Sequence, residues 1–317
     1  MIKKSFLLIL TIIFIIALFK YNNDINRENE RKFSIEEIGR IDKIFLSDRK
    51  GNNIILSRNE QLWMVNEKFK VRADAIETLL STIQQISIQR PVSEISYNNV
   101  IKQLATTGVK IEIYYGNNIK TYTVGGSTND HLGTYMLMDN AENPYIVHIA
   151  GFNGFLSPRY GIQGYELDIN TWRDNSIFKI KPEEIQEISL YDFKENNNSF
   201  IIKREPFLLM NNDSLSIKYD INKVIKYFNH FSKIGCEGFK GYNIDLSNEK
   251  PLFKLKINYN NKVDILNTYT FSKTNNNSNN SKPNVERMYA ILNNGEVMLI
   301  QNYVFNKVFI SINELKE

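Results

Sequence analysis

Cysteine is nearly missing: the 317-residue chain holds one, Cys236. With no second thiol there is no internal disulfide framework. A lone thiol in Lys233-Ile-Gly-Cys-Glu-Gly238 reads as a small semi-buried side chain; a nucleophile would need a His and an acid to meet it in space. Histidine is as scarce, with His131, His148 and His230 alone. None stands in H-x-x-x-H, H-E-x-x-H or a Cys/His spacing, so no metal site and no cofactor is expected. P-loop, dinucleotide and G-x-S-x-G signatures are also missing. Only 7 Pro and 15 Gly occur beside 42% hydrophobic and 12% aromatic residues, a composition that excludes a disordered chain. The formal net charge is +4, and the basic residues are scattered rather than striped, so no nucleic-acid partner is expected.

What is present begins with Met1-Ile-Lys-Lys4, the apolar run Phe6 to Phe19 broken only by Thr11, and a polar stretch Lys20 to Lys32. At ~1.5 Å per helical residue that run covers ~21 Å, short of a ~30 Å hydrocarbon core unless Ser5, Lys20 and Tyr21 extend it. No small-residue cleavage site follows Ala17, and no lipoprotein cysteine lies nearby. An uncleaved signal anchor is expected, with Lys3 and Lys4 inside and the body outside the cytoplasmic membrane of a bacterium.

From Phe33 the chain repeats itself. Ile41, Ile44, Leu46 and Asp48 recur as Ile185, Ile188, Leu190 and Asp192. Two residues further out of step, Asn52, Ile55, Arg58, Met64, Asn66 and Asp74 match Asn198, Ile201, Arg204, Met210, Asn212 and Asp220. Val109 to Tyr115 then matches Phe253 to Tyr259, and Tyr135 to Asn140 matches Tyr289 to Asn294. An ordered series with its gaps in turns points to duplication. Alternating runs around Lys43 to Ser47, Asn53 to Ser57 and Trp63 predict a meander. Val71 to Ile88 predicts a helix burying Ala75, Leu79, Ile83 and Ile86, with Asp74 as its cap. The matching face in the second copy is Ile221, Ile225, Phe228 and Phe231. A shorter helical stretch around Val100 to Leu104 follows, then strands. The expected class is α+β: two tandem strand-rich modules, each a mostly antiparallel sheet with a packed helix, after one transmembrane helix. The divisions are 1–32 for anchor and tether, 33–172 for the first module and 173–317 for the second. The Asn- and Ser-rich stretch Phe271 to Asn284 is expected to be a surface insertion.

One loop groups chemistry-bearing residues: Ser127, Asp130 and His131 within Gly125 to Tyr135. Hydroxyl, carboxylate and imidazole invite a hydrolase reading, yet triads are assembled from separate elements. Gly, Ser, Asn and Asp are also ordinary hairpin residues, so a turn is the reading adopted and Ser127, Asp130 and His131 stay as weak binding candidates. Trp172, Arg173 and Asp174 lie between the copies and read as a structural latch.

The strand pattern I-x-L-x-D at Ile44 to Asp48, Arg58 to Trp63-Met-Val65, and Val71-Arg-Ala-Asp-Ala75 opening a helix together resemble the bacterial domain of unknown function numbered 4340. Trp172-Arg-Asp174 and the lead-in Pro182 to Ile188 strengthen that resemblance, which is weaker in the second copy, where Leu209 replaces Trp63. The resemblance implies an envelope protein accompanying ABC-type exporters or gliding-type auxiliary proteins, without known site residues. The function expected is therefore a non-enzymatic accessory or scaffold with a protein partner, an ABC-type transporter among the candidates. A glycan- or peptide-binding module is the alternative and an unrecognised hydrolase the third.

Overall fold

In a computed structural model, residues 33–239, 244–272 and 283–317 are described. The apolar run Phe6 to Phe19 and most of the Asn-rich stretch lie outside them. No helix among the described residues is long and apolar enough to cross a membrane. The chain divides into two units, with Asp174 closing the first and Asn175 opening the second.

The first unit is built on nine strands. They are β1 (Ile41–Ser47), β2 (Asn53–Asn59), β3 (Leu62–Val65), β4 (Phe69–Lys70), β5 (Ile86–Pro91), β6 (Val109–Tyr115), β7 (Asn118–Ser127), β8 (Thr134–Met138) and β9 (Tyr145–Ile149), with a small hairpin of β10 (Ile162–Gln163) and β11 (Glu166–Leu167) beyond. Their order is β4-β3-β2-β1-β6-β7-β8-β9-β5, every pairing antiparallel. In β1, Ile41, Ile44 and Leu46 are fully buried while Asp42 is exposed, the near-alternation of a sheet with one face on a core. Asp48 ends this strand, buried. Desolvation alone would raise its pKa, but hydrogen bonds from the Asn52 side chain and from the N–H groups of Leu167, Asn52 and Lys50 outweigh it and hold the carboxyl below its usual range.

Helix α1 (Ala73–Gln85) lays Ile76, Leu79 and Ile83 into the core formed by Ile41, Ile44, Tyr122 and Val124. It is shorter than Val71 to Ile88, because Ile86 already pairs with Ile149 as the first residue of β5. Asp74 is not its cap. Arg72 occupies that position, and Asp74, one turn-position inside, grips the Arg72 guanidinium with Oδ1···Nε 3.1 Å. The stretch around Val100 is a full helix, α2 (Glu94–Thr107), of 14 residues. It presents Leu104 to Gly125, and alternation along β7 sets Gly125 on the opposite face from Tyr122 and Val124. Helices thus cover both faces of this sheet. A Cβ on Gly125 would stand 2.6 Å from Leu104 Cδ2, so glycine here admits the helix.

The second unit contains β12 (Ser176–Phe178), β13 (Ile185–Asp192), β14 (Phe200–Arg204), β15 (Phe207–Asn211), β16 (Ser216–Ile217), helix α3 (Ile221–Asn229), β17 (Ile234–Gly235), β18 (Phe253–Tyr259), β19 (Lys262–Ser272), β20 (Pro283–Leu292), β21 (Val297–Gln301) and the single turn α4 (Asn302–Phe305). Eight of these strands form a sheet ordered β16-β15-β14-β13-β18-β19-β20-β21, while β12 pairs with β17. The order repeats that of β4 through β9 in the first unit. Register repeats as well. The β1–β6 ladder slips between Ile41 and Lys43, and the β13–β18 ladder slips between Ile185 and Glu187, each followed by an Ile–Ile pair.

Strand pairing also corrects the alignment of the two halves. Arg58 faces Trp63 across β2–β3, and Arg204 faces Phe207 across β14–β15, so Phe207 rather than Leu209 holds the place of Trp63. Val65 with Phe69 likewise corresponds to Leu209 with Ile217, and the helices start at Ala73 and Ile221. The offset has grown to 148 by the helix, which sets Asp220 against Arg72, not Asp74. Asp220 does cap α3, accepting from Asn222 N–H at 2.8 Å. Phe228 and Phe231 are buried as expected, but the same slip misplaces Ile221 and Ile225, which are 40% and 46% exposed; Val224 and Tyr227 complete the buried stripe.

Candidate functional site

The polar loop of the first unit is tighter than its composition suggests. Gly125, Gly126 and Ser127 belong to β7, whose pairing with β8 slips between Val124 and Ser127, and only Thr128 to Gly133 turn. Buried Thr128 organises that turn. Its Oγ1 bonds Asp130 Oδ1 at 2.5 Å, accepts from Gly133 N–H at 3.0 Å and lies 3.2 Å from Gly133 O. Asp130 also accepts from Leu132 N–H at 3.1 Å. The hydrogen bond from Thr128, then that from Leu132, hold its carboxyl below the usual range.

Ser127 Oγ and His131 Nδ1 lie 3.1 Å apart, the spacing of a nucleophile and its base. The third member is missing: among the described residues no carboxylate hydrogen-bonds His131, whose ring leans on Phe155 with centroids 6.0 Å apart. His131 has φ +59°, a left-handed turn position, and its N–H donates to Thr128 O. Sequence proximity therefore brings Ser127 and His131 together but turns Asp130 back into the loop. Beside the turn lies a cavity of about 360 Å³, into which Asn129 and Asp130 face Arg90, Ser93 and Ser96 from the end of β5 and the start of α2. No local pattern in the sequence links Arg90, Ser93 and Ser96 to a turn near residue 130.

Trp172, Arg173 and Asp174 all finish the first unit. Trp172 is 1% exposed and its carbonyl accepts from Arg72 N–H at 2.8 Å. Arg173 forms a bridge with Val71 and sets its guanidinium 3.7 Å from the Phe69 ring centroid. Asp174 N–H donates to Lys70 O at 2.8 Å. The three residues thus extend the β4 edge and bury the indole.

Cys236 is buried, its N–H donating to Asn175 O while Asn175 Nδ2 donates to its carbonyl. His148 is half-buried within β9. His230 caps α3, and burial, then Lys307 and Lys226, lower its pKa. No group of three or more His, Cys, Asp and Glu among the described residues could hold a metal ion.

A family model described as "Domain of unknown function (DUF4340)" matches residues 63–250, more than half of the chain. The match runs from Trp63 in β3 to just before β18, and so takes in α1, the Trp172 segment and the lead-in to β13. No curated protein matches the chain, and no solved structure matches it.

Proposed function

The chain belongs to the DUF4340 family, and from that premise we propose that it is a non-enzymatic, membrane-anchored accessory or scaffold of a bacterial envelope complex, with an ABC-type transporter as its partner. The observation that carries the non-enzymatic reading is the closed turn at Thr128 to Gly133. Its most reactive-looking group, the Asp130 carboxylate, is committed to Thr128 and Leu132 rather than to the Ser127–His131 pair. The anchored reading rests on Lys3 and Lys4 ahead of the apolar run Phe6 to Phe19. We further propose that the two units are tandem copies of one module. The strand order shared by eight strands of each sheet and the ladder slips at Ile41/Lys43 and Ile185/Glu187 support common descent better than convergence on a meander.

The test is topological. A tag at the C-terminus is expected to be cut by protease added to spheroplasts while the protein stays with membranes and keeps Met1 to Phe19. Mature protein beginning near Asn22, or a tag protected until lysis, refutes the anchor. Neighbouring genes for a permease and an ATPase would support the transporter partner. A second reading, a glycan- or peptide-binding module, is favoured by the cavity that sets Arg90, Ser93 and Asn129 around one opening. Binding of cell-wall fragments lost in Arg90→Ala and Asn129→Ala would move that reading ahead.

A further inference from the structure

We propose that the second unit carries a site for a compact, multiply charged anion of the phosphate-ester type, set between α3 and the segment 306–316. Helical spacing brings Lys223, Lys226 and His230 to one side of α3, and Asn306, Lys307 and Ile310 face them across a cavity of about 350 Å³. Its floor is the buried pair Tyr227 and Leu315, with the Tyr227 hydroxyl already donating to Val308 O at 2.8 Å. The donors left for a ligand are ammonium groups and an imidazole.

The charge around His230 is unbalanced. From α3 come Lys223 and Lys226; from the facing segment come Lys307 and a single acid, Glu314, while the Lys316 ammonium donates to Asn313 Oδ1. Glu314 spends one oxygen on Ser311 N–H, and Lys223 Nζ donates to Lys316 O. Lys226 and Lys307 form no ion pair among the described residues. A helix C-terminus favours cations, which accounts for Lys226 and His230. It does not account for Lys307, on another element, which adds to burial in lowering the pKa of the imidazole. Converging point charges around a small opening suit an anion with several acceptor oxygens. An anion seated there reverses the sign of the local field and favours the imidazolium, so the His230 pKa rises when it binds.

The test uses the full-length protein with ring-labelled histidine, followed by NMR through a pH titration at constant ionic strength. In chloride, His230 is expected to titrate below the ordinary ~6.5. Replacing chloride with inorganic phosphate, or adding vesicles containing phosphatidic acid in place of pure phosphatidylcholine, should move it upward. A response to phosphate assigns a free phosphoryl ligand; a response to phosphatidic acid alone assigns a lipid headgroup. Lys226→Gln with Lys307→Gln should weaken the response on the order of fivefold per ammonium removed, the effect of one unit charge at ~4 Å in a water-like medium. A His230 titration that ignores both probes, or that responds equally in the double variant, overturns the site.

Discussion

Gly161→Ala tests how the first unit buries its C-terminal tryptophan. Gly161 ends the short helical turn Ser157–Tyr160 with φ +70° and ψ +15°, its N–H donating to Pro158 O at 3.0 Å. An L-residue in that left-handed region costs ~1–2 kcal/mol. The new methyl would also stand 2.7 Å from Trp172 Cζ2 and 2.8 Å from Cε2 and Nε1, inside any normal carbon contact. Relieving such an overlap in a packed core costs ~1–3 kcal/mol, so the expected loss is ~2–5 kcal/mol. Trp63 and Trp172 are the only tryptophans and both lie in the first unit, so urea unfolding followed by tryptophan fluorescence reads that unit alone. With a slope of ~2 kcal/mol/M, a 3 kcal/mol loss lowers the midpoint by ~1.5 M. In a Trp172→Phe background the Nε1–Cε2–Cζ2 edge of the indole is gone, and Gly161→Ala should cost only the backbone share of ~1–2 kcal/mol. An unchanged midpoint, or the same loss in both backgrounds, refutes the argument that the indole rests on this glycine.

Three further predictions follow the same physics. The buried hydroxyls of Tyr122 and Tyr160 lie 2.9 Å apart, so either single Phe substitution should cost ~1–3 kcal/mol by orphaning its partner, while the double substitution should recover most of that in the urea assay. Burial first, and for Tyr122 also its neighbour Tyr160, raise both pKa values. The stability they confer is therefore complete below the ordinary tyrosine range near ~10 and lost as pH rises through the folded-state values, a decline the double Phe variant should reduce. In the polar turn, Thr128→Val should cost ~1–3 kcal/mol by unpairing Gly133 N–H, whereas Ser127→Ala should change stability by less than ~0.5 kcal/mol. On α3, Phe228→Ala should cost ~3–5 kcal/mol in circular-dichroism melts and Ile225→Lys less than ~0.5 kcal/mol; reversed magnitudes would restore the face built on Ile221 and Ile225.

How far the sequence carries can be judged from particular elements. The β1 and β13 patterns are legible because both strands put one face on a core, and period-two burial, broken once by the slip after Ile41 and after Ile185, writes itself into Ile44, Leu46 and their counterparts. The helix register of the second unit is not. Two small length changes, in the β14–β15 hairpin and the β15–β16 turn, shift the alignment between Arg204 and Ile221, and only ladder pairing reveals them. A two-residue error on a helix turns the stripe by ~200°, which is why Ile221 and Ile225 fell on the wrong side. The Gly125-Gly126 pair looked like loop punctuation, yet Gly125 is a contact site for Leu104 of a helix twenty residues earlier. Proximity in sequence correctly joined Ser127 to His131 but could not show that Thr128 takes the carboxylate of Asp130. The basic cluster around His230 depends on Lys307, about eighty residues away, and no local pattern signals it.

The central claim is that this DUF4340 chain serves an envelope complex as a partner rather than acting on a substrate alone. Its most direct test is purification of the tagged full-length protein from native membranes in mild detergent, with native mass measurement of what is released. The account predicts an assembly containing a permease and an ATPase in fixed ratio, which dissociates to the free chain in harsh detergent. A protein that leaves native membranes only at its own mass, across mild conditions that keep other transport complexes whole, contradicts it.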